Sequence, residues 1–403
     1  MTMRKPELLA PAGDLKRAKT AIRYGADAVY LGGMSYSLRS RASNFTMDDI
    51  AEACAYAKEH NARIHVTVNV IPHNEDFEGL KAYLIQLEKC GVTAIIAASP
   101  SIMKLAKTSA PKLEVHCSTQ MSVTNSNAIR YLKEKLDIDR AVLGRECTMD
   151  QVRKIVQNSP VDIEAFIHGG MCINYSGRCT LSNRMTLRDA NRGGCAQSCR
   201  WSYHLYDQEQ EITTEDKLFT MGSRDLCAAE YLYDLMNAGV ASLKIECRMK
   251  TEYYVAAIVS AYRHMIDEIY ETGRLPKARA EYHEHEILRG ENRETCTGFY
   301  SGKAGLESLI YHVNSDADVS HDFLGTVKEI EDNGKVIIET RNPFALGDEV
   351  EFLSAGKENR KFVLRNMKNY KKQEEISEIR NPMTLVEIEV PFTVGLHDIL
   401  RKA

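Results

Sequence analysis

The sequence predicts an α/β fold: a (β/α)8 TIM-like barrel with a cysteine-rich insertion after strand seven, plus a small C-terminal antiparallel β-barrel. Three observations lead there. Short apolar runs rich in β-formers alternate with helical stretches from the N-terminus onward, the pattern of a parallel sheet with crossover helices. The connection after the seventh run is far longer than the usual loop of about 2–6 residues, and it gathers four of the eleven cysteines. Beyond residue 320 the alternation stops, and short strand patterns separated by turns take over.

The strand candidates are residues 7–10, 28–32, 64–69, 94–98, 114–119, 140–144, 163–168 and 242–246. Helical patterns lie between them at 15–24, 47–60 with Thr46 as N-cap, 77–90, 126–134 and 149–157. Eight such units in about 260 residues match a (β/α)8 barrel, whereas an open doubly wound sheet of about five or six strands would leave runs over. The barrel is expected over residues 1–274, with the insertion at 169–227 and a hairpin of 201–207 with 218–221 inside it. Residues 275–320 are polar and weakly patterned and read as a connector. The C-terminal unit, 321–403, shows strand patterns at 325–330, 335–340, 349–353, 383–390 and 395–400, with turns at Asp332-Asn333-Gly334 and Gly347-Asp348. Small barrels of this kind bind RNA or support a neighbouring domain, and the sequence leaves both open.

At 403 residues and 44% hydrophobic content the chain can bury a large core. Its formal net charge of −4 gives no overall attraction to nucleic acid, although a local basic patch is compatible with it. The start lacks the apolar stretch of a signal peptide, and no run approaches the roughly 20 residues of a spanning helix, so a cytoplasmic protein without membrane contact is expected. In a reducing compartment the cysteines are free thiols or metal ligands rather than disulfides.

In such a barrel the functional face lies at the carboxyl ends of the strands. Those ends are polar here. Asn69 closes the third strand, His116, Ser118 and Gln120 belong to the fifth, Arg145 and Glu146 follow the sixth, His168 ends the seventh, and Lys244, Glu246 and Arg248 mark the eighth. Barrel mouths are wet, so each of these has an ordinary explanation, but convergence from several strands points to a site.

The clustered cysteines are Cys172, Cys179, Cys195 and Cys199, spaced by six, fifteen and three residues. Zinc ribbons use about two to four residues within each ligand pair, which the first pair exceeds. Four thiolates on a glycine-rich loop suit a [4Fe–4S] cluster, with zinc, or no metal at all, as the alternatives. Cys54 and Cys90 fall on helical patterns, where a cysteine is a small buried hydrophobe, and Cys117 alternates with His116 and Ser118 on a strand, so it faces the opposite side from them. Cys147, Cys227, Cys247 and Cys296 lie nearer loops, and Cys227 is the strongest spare ligand among them. A cysteine nucleophile with His168 as its base would need a third, orienting residue, and no recognised spacing supplies one. HExxH, GxSxG and Walker-type motifs are absent, which removes the common hydrolase and nucleotide-binding readings.

Longer motifs surround these cysteines. Glu164-x-Phe166-x-His168-Gly169-Gly170-Met171-Cys172 is followed by Tyr175-Ser176-Gly177-Arg178-Cys179-x-Leu181-Ser182, then by Arg188-Asp189-Ala190-Asn191-Arg192-Gly193 and Cys195-x3-Cys199-Arg200-Trp201. Ser223-Arg224-Asp225-Leu226, Lys244-Ile245-Glu246, Glu7-Leu8-Leu9-Ala10-Pro11-Ala12-Gly13 and Asp27-Ala28-Val29-Tyr30-x-Gly32 complete the set. Together they closely resemble the signature of the collagenase-like peptidase family U32, across essentially the whole chain, and within it the branch of tRNA hydroxylation proteins. Where that family usually shows Lys-Ile-Glu-Gly-Arg, this chain has Cys247 in place of the glycine.

The resemblance implies formation of 5-hydroxyuridine at the tRNA wobble position without molecular oxygen. It also implies prephenate as metabolic source, a [4Fe–4S] cluster on Cys172, Cys179, Cys195 and Cys199, and a paralogous family member as a partner. On that reading Lys244, Arg145 and Arg248 suit a carboxylate donor, with His116, Gln120 and Asn69 beside them, and Glu146, Glu246 or His168 carries protons. The RNA backbone would run over Arg39, Arg41, Arg184, Arg188, Arg192 and Arg200. The alternatives are a peptidase of the same family, a hydroxylase of ribosomal RNA or another aromatic substrate, and a subunit whose cluster is structural.

Overall fold

The computed structural model describes residues 3–38, 44–215, 218–246, 248–291, 293–309, 321–331 and 334–403. Arg39, Arg41, Cys247 and the Asp332-Asn333 half of a turn lie outside them. Eight parallel strands follow one another: β1 (Glu7–Pro11), β2 (Ala28–Gly32), β3 (Arg63–Val68), β4 (Ala94–Ala97), β5 (Glu114–Cys117), β6 (Arg140–Val142), β7 (Asp162–Gly169) and β8 (Ser242–Ile245). Each pairs with its successor, β7 reaching β8 across the insertion, and β8 also pairs with β1. The ring therefore closes, and no barrel strand is left with an unpaired edge. Strands such as Ala28–Gly32 and Ala94–Ala97 are buried throughout because one face meets the barrel axis and the other the helices.

Around the ring lie α1 (Leu15–Arg23), α2 (Met47–Glu59), α3 (Leu80–Cys90), α4 (Pro100–Ser109), α5 (Ser126–Leu136) and α6 (Met149–Asn158). Thr46 starts α2 with a reciprocal cap: its hydroxyl accepts from the Asp49 amide at 3.1 Å, and the Asp49 carboxylate accepts from the Thr46 amide at 2.9 Å. The helical pattern at 77–90 is interrupted, because Gly79 adopts φ +78° between a 3₁₀ turn (Asn74–Phe77) and α3. The insertion carries α7 (Leu181–Thr186), and α8 (Leu232–Ala238), α9 (Glu252–Thr272) and α10 (Lys277–Gly290) follow.

Two expectations need correction. The supposed connector contains α10, a helix of 14 residues. Its buried side includes His283 and Glu286, so the apolar periodicity that would have announced it is missing. The hairpin in the insertion is tighter than expected, pairing Tyr206–Asp207 with Gln210–Glu211, while a single bridge joins Tyr203 to Phe219.

The C-terminal unit is an antiparallel half-barrel. Its main strands are β9 (Phe323–Ile330), β10 (Lys335–Thr340), β11 (Glu349–Leu353), β12 (Arg360–Val363), β13 (Met367–Asn369), β14 (Leu385–Glu389) and β15 (Ile399–Lys402). They lie in the order β12-β11-β15-β9-β10-β14-β13. β12 escaped sequence reading because three of its four residues are exposed. Leu324, Val327, Ile338, Phe352, Val386 and Leu400 form its core. Against the barrel domain, the buried Arg401 bonds Glu286 of α10 at 2.5 Å and Glu351 at 2.9 Å, and the Tyr24 hydroxyl donates to the Leu353 carbonyl at 2.9 Å.

Candidate functional site

The barrel axis is filled by charge. Arg140 bonds Glu7 at 2.5 Å and Glu164 at 3.2 Å, Lys244 bonds Glu164 at 2.7 Å, and Ser242 donates to Glu7 at 2.8 Å. All five side chains are buried. Burial by itself would raise the Glu164 carboxyl, but Lys244 and Arg140 outweigh it and hold the group at about 2. Glu7 is likewise held at about 2 against its burial, by His65, Arg140 and Arg63. His65, fully buried edge-on to His116, is pushed down to about 3 by desolvation. Lys244 and His116, expected at the mouth as substrate-binding groups, thus lie inside this layer. The Lys244 ammonium packs 4.4 Å from the Tyr30 ring centre, and His116 reaches Glu114 at 3.0 Å.

Above this layer the strand ends carry a polar rim. The Arg145 guanidinium stacks 4.2 Å from the Phe166 ring centre and donates to the Gly170 carbonyl at 2.7 Å. Tyr30 donates to Glu246 at 2.8 Å. Asn69 donates to Gln120 at 3.2 Å, and Gln120 also accepts from Ser118 at 2.5 Å. Arg248 is buried and donates to Ser37 at 3.0 Å, lying so close over Gly32 that a Cβ there would fall onto its guanidinium. From the sequence-expected set the rim therefore unites Asn69, Gln120, Arg145, Glu246 and Arg248.

Glu146 and His168 are placed differently. Both carboxylate oxygens of Glu146 are taken by Ser176 in the insertion, the amide at 2.5 Å and the hydroxyl at 3.3 Å. His168 leaves the axis because the β7–β8 register skips Ile167, pairing Lys244 with Phe166 and Ile245 with His168. Its ring therefore faces α9, fully buried, with Nε2 2.6 Å from Glu291. Sequence reading missed Glu291 and the Glu7–Arg140–Glu164 layer. Their partners lie more than a hundred residues apart in several cases, and no local spacing announces them.

The insertion is stitched across the mouth. On one side the Ile71 amide donates to the Asn191 carbonyl at 3.1 Å, and Arg192 forks onto Asp76 at 2.5 and 3.1 Å. On the other, Glu146 holds Ser176 and Arg145 holds Gly170. Arg200 is paired with Asp225 at 3.0 Å, so Arg192 and Arg200 serve the fold, whereas Arg184 and Arg188 are exposed. Trp201, Tyr175, Tyr206 and Leu187 are exposed on the same insertion.

Cys172, Cys179, Cys195 and Cys199 all sit in this roof as free thiols. The Ser182 amide points at the Cys179 sulfur at 3.5 Å, and Asn191 fixes the Cys179 backbone from both sides, at 3.3 and 2.9 Å. Burial, then the neighbouring Cys172, Cys195 and Cys179, push the Cys199 thiol up, with Arg200 acting against them. Among the described residues no three His, Cys, Asp or Glu side chains converge on a point that could hold a single metal ion. No described helix is long and apolar enough to cross a membrane.

Comparison with known proteins adds a family. The chain is 41% identical to the tRNA hydroxylation protein P1 of Bacillus subtilis over 405 aligned positions, covering 99% of this chain and 95% of that protein. It is 40% identical to a 23S rRNA 5-hydroxycytidine synthase of Escherichia coli, covering 69% of this chain and 42% of that protein. A collagenase of Porphyromonas gingivalis is 32% identical, covering 74% of each chain. The model of peptidase family U32 matches residues 13–309, and that of the peptidase family U32 C-terminal domain matches residues 319–401. Nearly the whole chain is accounted for by these two matches, and it belongs to peptidase family U32.

Proposed function

We propose that this protein is an RNA hydroxylase, forming 5-hydroxyuridine at the wobble position of tRNA, independent of molecular oxygen and drawing on prephenate. The observation that carries the reading is the cysteine-rich insertion tied to the polar mouth of the barrel, where Gly170 accepts from Arg145 and Ser176 donates to Glu146, and which carries four free thiols. Relatives named for hydroxylation of tRNA and of ribosomal RNA support it.

The donor set fits a thiolate-bound [4Fe–4S] group better than a single zinc ion. The four thiols are unpaired by disulfides, they do not converge on a single-ion point among the described residues, and a backbone N–H is aimed at one sulfur. Cys172, Cys179, Cys195 and Cys199 would hold it, and when bound it supplies one-electron transfer at the mouth. Arg145 and Arg248 would orient a carboxylate by forked hydrogen bonds. Glu246, with Tyr30 donating to its Oε2, would hold or release a proton at its carboxylate. Exposed Arg184 and Arg188, on the same insertion as exposed Trp201 and Tyr206, suit phosphates and unstacked bases. A paralogous family member as partner belongs to the same proposal.

Nucleoside mass spectrometry of tRNA from a strain lacking the gene tests it. Loss of 5-hydroxyuridine derivatives, restored by the wild-type chain but not by Cys172→Ala or Cys195→Ala, is expected. Unchanged tRNA with altered ribosomal RNA nucleosides would redirect the reading to ribosomal RNA. Protein purified without air should contain iron and labile sulfide, retained in Cys54→Ala and lost in Cys195→Ala. Iron-free protein from such a preparation would sink the cluster.

A further inference from the structure

Outside the barrel axis lies a polar cluster that this function does not use. The strand Asp225–Cys227 runs antiparallel to the end of β7 and places Cys227 directly opposite His168. His168 Nδ1 is 3.2 Å from the Tyr262 hydroxyl, which lies 3.7 Å from Cys227 Sγ and donates to the Ile167 carbonyl at 3.0 Å. On the far side of the ring Nε2 is 2.6 Å from Glu291, whose other oxygen accepts from Lys250 at 3.3 Å. Tyr254 of α9 closes the cluster, its ring centre 6.0 Å from that of His168. Each neighbouring element thus contributes: β7, the short strand, α9, the residue after α10 and the turn after β8. The sequence offered a Cys–His pair with no orienting residue, and Glu291 is that residue, 123 positions away.

The chemistry of the three groups is matched. Burial favours a neutral Cys227 thiol, yet the hydrogen bond and charge of His168 bring it below its ordinary value. Burial also opposes a charged His168, but Cys227 and Glu291 raise it to about 9. Three other thiols, Cys54, Cys117 and Cys147, are pushed up to about 12 by burial. Cys227 is moreover only partly buried, while His168 is fully buried.

We propose that Cys227, His168 and Glu291 form a nucleophilic thiol site, and that it takes a soft carbon electrophile, a carbonyl conjugated to a carbon–carbon double bond. Such an addition needs only a thiolate and one proton donor. The Cys227 sulfur bonds to the β-carbon, the double-bond electron pair moves to the α-carbon, and that carbon takes the imidazolium proton of His168. Thiolate and imidazolium are consumed together, Glu291 stays a carboxylate, and the product is a neutral thioether.

Acrylamide is the probe, applied to the full-length protein as purified, with alkylation of each cysteine followed by peptide mass spectrometry across a pH series. At about pH 6, Cys227 should react at least about tenfold faster than Cys147, since each unit of thiol pKa is about tenfold in thiolate. His168→Gln and Glu291→Gln, each with an unchanged circular dichroism spectrum, should slow Cys227 by about tenfold and move its pH midpoint upward. A merely structural cysteine would show no such midpoint shift. Cys227 reacting no faster than Cys147 in the folded wild type overturns the proposal, a comparison that stands even if a variant fails to fold. Equal rates in wild type and both folded variants overturn it as well. The readout uses neither RNA nor iron, so its outcome is independent of the hydroxylase reading.

Discussion

Glu164 holds two buried cations at once, Arg140 and Lys244, within 3.2 Å. Glu164→Gln removes the charge that both depend on and should cost about 3–5 kcal/mol, because a buried cation without its partner is expensive. Urea unfolding measures this, and an unchanged midpoint would contradict the role given to the layer. The pH dependence has a definite sign. The Glu164 carboxyl is held at about 2 against an ordinary 4.5, so its contribution is fully present above about pH 4.5 and is lost as pH falls through 2. Wild type should therefore lose stability across that window more steeply than Glu164→Gln. Period-two alternation on β8 makes it legible that Ser242 and Lys244 share a face, but not that the face points at Glu164 rather than at substrate.

At the scale of the element, the insertion is held by a few side-chain bonds rather than by a core. Ser176 sits at φ 52°, a left-handed conformation kept by the paired bonds to Glu146. Glu146→Ala should leave the barrel intact while local opening of the insertion rises about tenfold, equivalent to about 1.4 kcal/mol of lost local stability. Limited proteolysis with intact-mass detection reads this, and wild-type resistance between Gly170 and Arg200 would refute the anchor. Thr46→Ala, by contrast, should cost about 1 kcal/mol of global stability through loss of the α2 cap. A thermal melt indistinguishable from wild type would exclude that contribution. The cap was legible because both its partners lie within one turn; the Glu146–Ser176 anchor, 30 residues apart, was not.

For the whole molecule, Arg401 couples the half-barrel to α10. Its guanidinium is fully buried, on Glu286 and Glu351 together, and Arg289 adds bonds to Glu351 and Asp322. Arg401→Ala should leave the buried Glu286 and Glu351 with Arg289 as their remaining cation, at a cost of about 3 kcal/mol. Calorimetry should then show the C-terminal unit melting apart from the barrel, and a single unshifted transition would argue against the coupling. The sequence by itself determined the barrel, its eight strands in order, the strand-rich end and the cysteine-rich roof. These depend on local periodicity, turn residues and composition, which a chain carries at short range. Tertiary structure alone decided which charged groups lie at the barrel mouth and which face one another. Lys244 went to Glu164, Glu146 to Ser176, and a skipped residue at Ile167 turned His168 from the mouth to Cys227 and Glu291. The physical reason is that a buried charge or ring takes the partner that closes its hydrogen bonds, and the chain brings that partner from any distance.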